Sequence, residues 1–178
     1  TNNEESTIWN LCDYKAACYA GTEQGIAATK SFTSQMLCLI LISLKLVEKI
    51  HGDNATIGYK KSLFSLPAVV DKALAKREDI KKLAAILAKE NTIVITADGI
   101  SYSLAKEAAL KIKETSYKNI SAAILGEFMH GHVAVLNNPS MLIYIAVNEI
   151  SKRSVSNLNK IKEDYKPKLV IIGPAGEE

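Results

Sequence analysis

The sequence predicts an α/β fold: a three-layer αβα sandwich built on a parallel, doubly wound sheet. Three observations carry that expectation. Residues 92–97 (TIVITA), 141–147 (MLIYIAV) and 168–172 (KLVII) are short, nearly continuous apolar runs, the pattern of strands buried on both faces. Helical periodicity separates them, at residues 101–115 and 151–165. Turns containing Asp98-Gly99 and Gly126 to His130 follow strands, at the carboxyl ends where ligands of such sheets bind.

Composition narrows the function classes. The chain has 178 residues, 48% of them apolar, enough to bury a sizeable core as one domain or as pieces of two. Its net charge of +3 comes with scattered lysines, which gives no electrostatic footprint for nucleic acid. Cys12, Cys18 and Cys38 are odd in number and lack metal-ligand spacing, so they read as reduced thiols packed as small hydrophobes in a cytoplasmic protein. No secretory leader pattern is visible. The apolar run 36–47, interrupted by Ser43 and Lys45, is too short to span a bilayer and reads as a buried helix, so no membrane partner is expected. The polar opening TNNEES and the closing GPAGEE read as cuts through a longer protein.

In chain order, residues 15–19 (KAACY) form a candidate strand, followed by a turn holding Gly21 and Gly25 and a long, largely buried helix over 29–50. A strand, a glycine loop and a helix N-terminus offer free N–H groups to an anion, although the same pattern also serves as plain connection geometry. Residues 51–62, with Gly52 and Gly58, read as a connecting loop with His51 at the surface. Leu66-Pro67 then starts a helical pair over 68–74 and 78–89. In the second helix Ile80, Leu83, Ala84, Ile86 and Leu87 make one buried face. From Asn91 the pattern alternates, with a further short strand at 120–124.

The stretch 103–132 carries the chemistry. At about 100° per residue, Glu107, Lys111 and Glu114 fall within an arc of about 60°, while Ala105, Ala108, Ala109 and Ile112 face a core. On spacing alone such a stripe is a solvated salt-bridge face. The glycine-bracketed turn Gly126-Glu127-Phe128-Met129-His130-Gly131 adds a carboxylate and an imidazole, groups that move protons near neutral pH. His130, His132 and Glu127 in one turn fall short of a metal site, and no GxGxxG run marks a dinucleotide, so no cofactor is expected.

KEAALKIKETSY followed by GEFMHGH resembles the LEGALKLKE…GELKHGP signature of the sugar isomerase (SIS) family, and AGTEQGIAATKSFTSQ resembles its AGTEIGVASTKAFTTQ segment. Within the family the likeness is to the isomerase part of hexosephosphate aminotransferases and to stand-alone phosphosugar isomerases and deglycases. The resemblance implies a tandem, flavodoxin-like SIS arrangement. Residues 1–60 would be the C-terminal part of a first unit, 61–90 a helical linker, and 91–178 a second unit truncated at its C-terminus. The phosphate-gripping Ser/Thr loops and a C-terminal lysine would lie outside this chain, and the stretch alone is expected to be aggregation-prone or inactive.

Carried over position by position, Glu114 matches the carboxylate that shuttles the C1/C2 proton, and Glu107 and Lys111 match its companions on the helix. His130 matches the ring-opening histidine, which acts from the neighbouring subunit and so implies a homodimer. Gly25, Ile26 and Ala28 fall on the segment that lines the sugar-phosphate pocket. The sequence departs from the family at Ala28 (usually Ser), Ala108 (Gly), His132 (Pro) and Ala97-Asp98-Gly99 (Gly-Arg-Gly). The implied activity is aldose–ketose isomerisation of a sugar phosphate resembling fructose 6-phosphate or glucosamine 6-phosphate. The alternatives are a fructosamine-phosphate deglycase and a non-catalytic sugar-phosphate sensor in a regulator.

Overall fold

The computed structural model describes residues 1–136 and 139–174. The end of the GPAGEE run, residues 175–178, lies outside the described residues. Contacts divide the chain into two compact units, Thr1–Glu78 and Asp79–Glu178.

The second unit holds a parallel sheet. Its strands are β1 (Thr92–Ala97), β2 (Ile120–Ile124), β3 (Ser140–Ile145) and β4 (Lys168–Ile172), in the order β2-β1-β3-β4. Ile93 lies beside Ile120 and Met141, and Met141 beside Lys168, so all four strands run the same way. The helices of this unit include α5 (Ser101–Ser116), the single turn α6 (Leu125–Phe128) and α7 (Lys152–Asp164). The two-residue repeat of a strand separates the core into two layers. Ile93, Ile95, Ala97, Met141 and Ile143 pack with Ala105 and Ala109 of α5. Val94, Leu142 and Tyr144 pack with Leu125 and Phe128 of α6 and with Leu158 and Ile161 of α7. The expected three-layer α/β architecture of this unit is therefore present. Its strands match the expected ones within two residues, because apolar runs buried on both faces leave little latitude in a parallel sheet.

The first unit departs from expectation. Residues 15–19 do not form a strand, because no neighbouring strand pairs with them among the described residues. The long helix is present as α2 (Lys30–His51), after the short α1 (Thr7–Leu11), but it is not largely buried. Glu48 is its one buried side chain, while Ile40 and Leu41 are 40% and 47% exposed. This unit contains no sheet among the described residues to cover that apolar surface. Taken over its full 22 residues, α2 is also long and apolar enough to cross a membrane by length and composition, unlike the shorter run 36–47.

The expected loop at 51–62 is mostly helical, with a 3-10 turn at Asp53–Thr56 and then α3 (Ile57–Leu74). Pro67 does not start a helix but lies inside α3, where its missing N–H leaves one rung of the ladder open. The helix α4 (Arg77–Leu87) has no fully buried residue, and of its expected apolar face only Leu83 and Leu87 are half-buried. Cys12 is exposed and Cys18 and Cys38 are half-buried, so Cys12 is not the packed hydrophobe expected of it.

A buried carboxylate pins the α2–α3 connection. Glu48 accepts hydrogen bonds from the Thr56 hydroxyl and Lys60, and Lys45 Nζ lies 3.2 Å from its Oε2. The Lys60 ammonium, with help from Thr56, holds the Glu48 carboxyl at about 2, below the ordinary 4.5. A depressed folded-state value contributes stability that is present above the unfolded-state value and is lost as pH falls through the folded one. The expected result is loss of stability between pH 4.5 and about 2. Chemical denaturation at stepped pH checks this, and Glu48→Gln should flatten that part of the profile.

Candidate active site on helix α5

Helix α5 presents its alanines, Ala105 and Ala109, to the sheet, which lets it lie close to β1 and β2. That packing fixes the rotation of the helix and sends the opposite face outward. Glu107, Lys111 and Glu114 share this outward face at i, i+4 and i+7. Lys111 Nζ lies 3.4 Å from Glu107 Oε1 and 2.9 Å from Glu114 Oε2, so one ammonium bridges the carboxylates of two residues whose backbones are about 10 Å apart along the helix axis. All three side chains are between 24% and 30% exposed. They are accessible to a ligand yet partly shielded from water. The contact with Glu114, reinforced by Glu107, raises the Lys111 pKa and keeps the bridging cation charged. Tyr117 in the left-handed conformation ends the helix, its N–H donating to the Lys113 carbonyl at 2.9 Å.

The histidine turn follows β2. Phe128 is 2% exposed and packs into the α7-side core, while its neighbours Glu127 and His130 remain exposed. The His130 N–H donates to the Glu127 carbonyl at 3.0 Å, closing the turn. Gly131 then adopts a φ of 112°, which a side chain would strain. Among the described residues no hydrogen bond or ion pair joins His130 to Glu107, Lys111 or Glu114. An open cavity of about 450 Å³ lies beside β2, lined by Tyr102, Glu127, Phe128 and His132 among others, but not by His130. Among the described residues no group of three or more His, Cys, Asp or Glu is arranged to hold a metal.

At the carboxyl end of β1, Asp98 Oδ2 accepts from the Tyr144 hydroxyl at 3.0 Å and from the Ser154 hydroxyl at 2.8 Å. Burial, with Asp98 adding to it, raises the Tyr144 pKa and keeps this phenol a donor. The Ser101 hydroxyl accepts from the Val147 N–H at 3.1 Å, fastening the first turn of α5 to the end of β3. The switch point of this sheet, between β1 and β3, is thus bridged by an internal network that the sequence reading did not identify.

In the first unit, Gly25, Ile26 and Ala28 lie together in the loop before α2, with Ile26 88% exposed and Ala28 half-buried. The N-terminus of α2 is not open to an external anion as the sequence suggested. The Glu23 carboxylate occupies it, accepting from the Ser31 N–H at 3.0 Å and the Thr29 N–H at 3.4 Å.

The second unit is thus a parallel αβα domain that carries a two-carboxylate, one-lysine stripe on its first crossover helix. The SIS domain pattern matches residues 86–175, half of the chain, and the protein belongs to the SIS domain family. It is 34% identical over 147 residues to the glutamine–fructose-6-phosphate aminotransferase [isomerizing] of Haemophilus influenzae, a match covering 80% of this chain and 24% of that one. The enzyme of the same name from Wigglesworthia glossinidia brevipalpis is 29% identical over 164 residues, covering 90% of this chain and 27% of the relative. Among solved structures, the C-terminal domain of glucosamine–fructose-6-phosphate aminotransferase from Francisella tularensis superposes with a TM-score of 0.88 at 26% identity, covering 97% of this chain and 49% of that one. Glucosamine-6-phosphate deaminase from Thermotoga maritima shares the fold at a TM-score of 0.73 and 21% identity, covering 97% of this chain and 50% of that one. The chain spans about a quarter of the length of these curated relatives and about half of these solved chains.

Proposed function

We propose that this chain is part of a phosphosugar aldose–ketose isomerase acting on a substrate resembling fructose 6-phosphate or glucosamine 6-phosphate. The bridged stripe of Glu107, Lys111 and Glu114 is the observation that carries this reading. Moving a proton between C1 and C2 of an open-chain sugar needs an ionised carboxylate held beside those carbons. Glu114 is that base. Lys111 holds it by a 2.9 Å contact and keeps it oriented, and Glu107 holds Lys111 from the other side. The relatives named as isomerising aminotransferases support the substrate class. Gly25, Ile26 and Ala28 contribute to the sugar-phosphate pocket, in a cytoplasmic enzyme built as tandem SIS units. Ala28 supplies a methyl where the family has a hydroxyl. The substrate panel therefore includes a fructosamine phosphate, whose cleavage without isomerisation of fructose 6-phosphate would identify a deglycase. Sugar-phosphate binding with neither reaction would identify a sensor.

His130 opens the sugar ring from a second copy of the chain. Its exposure, and the absence of any bond to the α5 stripe among the described residues, support a role outside its own subunit. Complementation tests this. Glu114→Gln and His130→Asn proteins are each expected to be inactive alone. Mixed and allowed to exchange subunits, they form heterodimers with one intact site and recover about a quarter of wild-type activity. No recovery, with subunit exchange verified, contradicts action in trans.

A further inference from the structure

The loop between Ala20 and α2 is held at both ends. At its start Asn2 clamps the backbone: its side-chain amide donates to the Gly21 carbonyl at 2.7 Å and accepts from the Ala20 N–H at 2.8 Å. At its end Glu23 reaches forward to the first turn of α2. One carboxylate oxygen accepts from the Ser31 N–H at 3.0 Å and the Thr29 N–H at 3.4 Å, and the other from the Thr29 hydroxyl at 3.2 Å. Thr29 sits at the N-cap position but makes no capping bond of its own, since its hydroxyl donates to Glu23. The segment between these clamps contains Gly25, Ile26 and Ala28.

The chemistry of this arrangement is specific. A helix N-terminus presents N–H donors and a partial positive charge that favour an anion. Here the anion is part of the chain. The Ser31 and Thr29 contacts hold the Glu23 carboxyl at about 2, so it is ionised throughout the neutral range. A phosphate approaching the same donors would meet a fixed carboxylate already bonded to them, and like charges would oppose it.

We propose that Glu23 is a positioning residue of the sugar-phosphate site: its carboxylate fills the anion position at the N-terminus of α2 and holds closed the loop that carries Gly25, Ile26 and Ala28. The inference rests on the isomerase reading above. It predicts that losing the carboxylate loosens the loop, so that only a fraction of molecules hold the binding-competent shape and apparent affinity falls by that fraction.

The test uses full-length protein, with titration calorimetry against fructose 6-phosphate and glucosamine 6-phosphate alongside steady-state kinetics. Glu23→Ala is expected to raise Kd and KM about tenfold, with kcat changed less than about threefold. Glu23→Gln, which keeps an acceptor oxygen, should recover part of that loss. A purely structural cap would instead lower the melting temperature and the active fraction, leaving KM of the folded molecules unchanged. An unchanged KM and Kd in folded Glu23→Ala overturns the positioning role and leaves the isomerase reading intact. Wild-type protein that binds neither sugar phosphate overturns both.

Discussion

Glu114→Gln lowers turnover by about 10²–10⁴-fold while leaving sugar-phosphate affinity nearly unchanged. Glutamine keeps the size and one acceptor oxygen of the carboxylate but cannot take a proton from a sugar carbon. Lys111 retains its 3.4 Å contact with Glu107, so the helix face stays organised and the loss falls on the chemical step. In kinetic terms kcat and kcat/KM fall together, the mark of an interaction used in the transition state and not in ground-state binding. Steady-state assays with matched calorimetry check this. A rise in KM at constant kcat would make Glu114 a binding group and move the base elsewhere.

Phe128→Ala costs about 3–5 kcal/mol of stability in the second unit. The ring is 2% exposed and packs among Val94, Leu142, Tyr144, Leu158 and Ile161, so alanine leaves a cavity that strands and α7 close only in part. Phe128 lies inside the turn that the Glu127–His130 backbone bond closes, so it anchors the histidine turn to the core. Denaturant unfolding measures the loss. Activity at low temperature, where the variant remains folded, should still fall, because the anchor of His130 has gone. A loss of less than about 1 kcal/mol would mean that the side chain is not the anchor its burial implies.

The second unit could be read from the sequence because each of its elements is locally decisive. TIVITA cannot satisfy its apolar side chains on one face alone, and the alanine stripe of α5 marks the side that meets the sheet. The first unit could not be read as well. A short apolar run such as KAACY becomes a strand only beside a partner, and none pairs with it among the described residues. Gly58 and Pro67 look like breakers in sequence, yet both lie inside α3, where neighbouring helix formers outweigh them. The candidate site divides in the same way. The i, i+4, i+7 spacing of Glu107, Lys111 and Glu114 is a helical pattern and appears directly in the sequence. Glu23 reaches donors six and eight residues ahead of it, outside any capping-box spacing, so only the folded loop reveals it. The contacts of Asp98 with Tyr144 and Ser154 span 46 and 56 residues and have no local signature at all.

The most direct test of the isomerase reading is proton NMR of fructose 6-phosphate and glucosamine 6-phosphate incubated in D₂O with the full-length wild-type protein. Transfer of a C1/C2 proton through Glu114 exchanges it with solvent, so deuterium should enter at C1 of the ketose or C2 of the amino sugar. Glu114→Gln should abolish that exchange. An unlabelled sugar phosphate that nevertheless binds to the wild-type protein would contradict carboxylate-mediated isomerisation at this site.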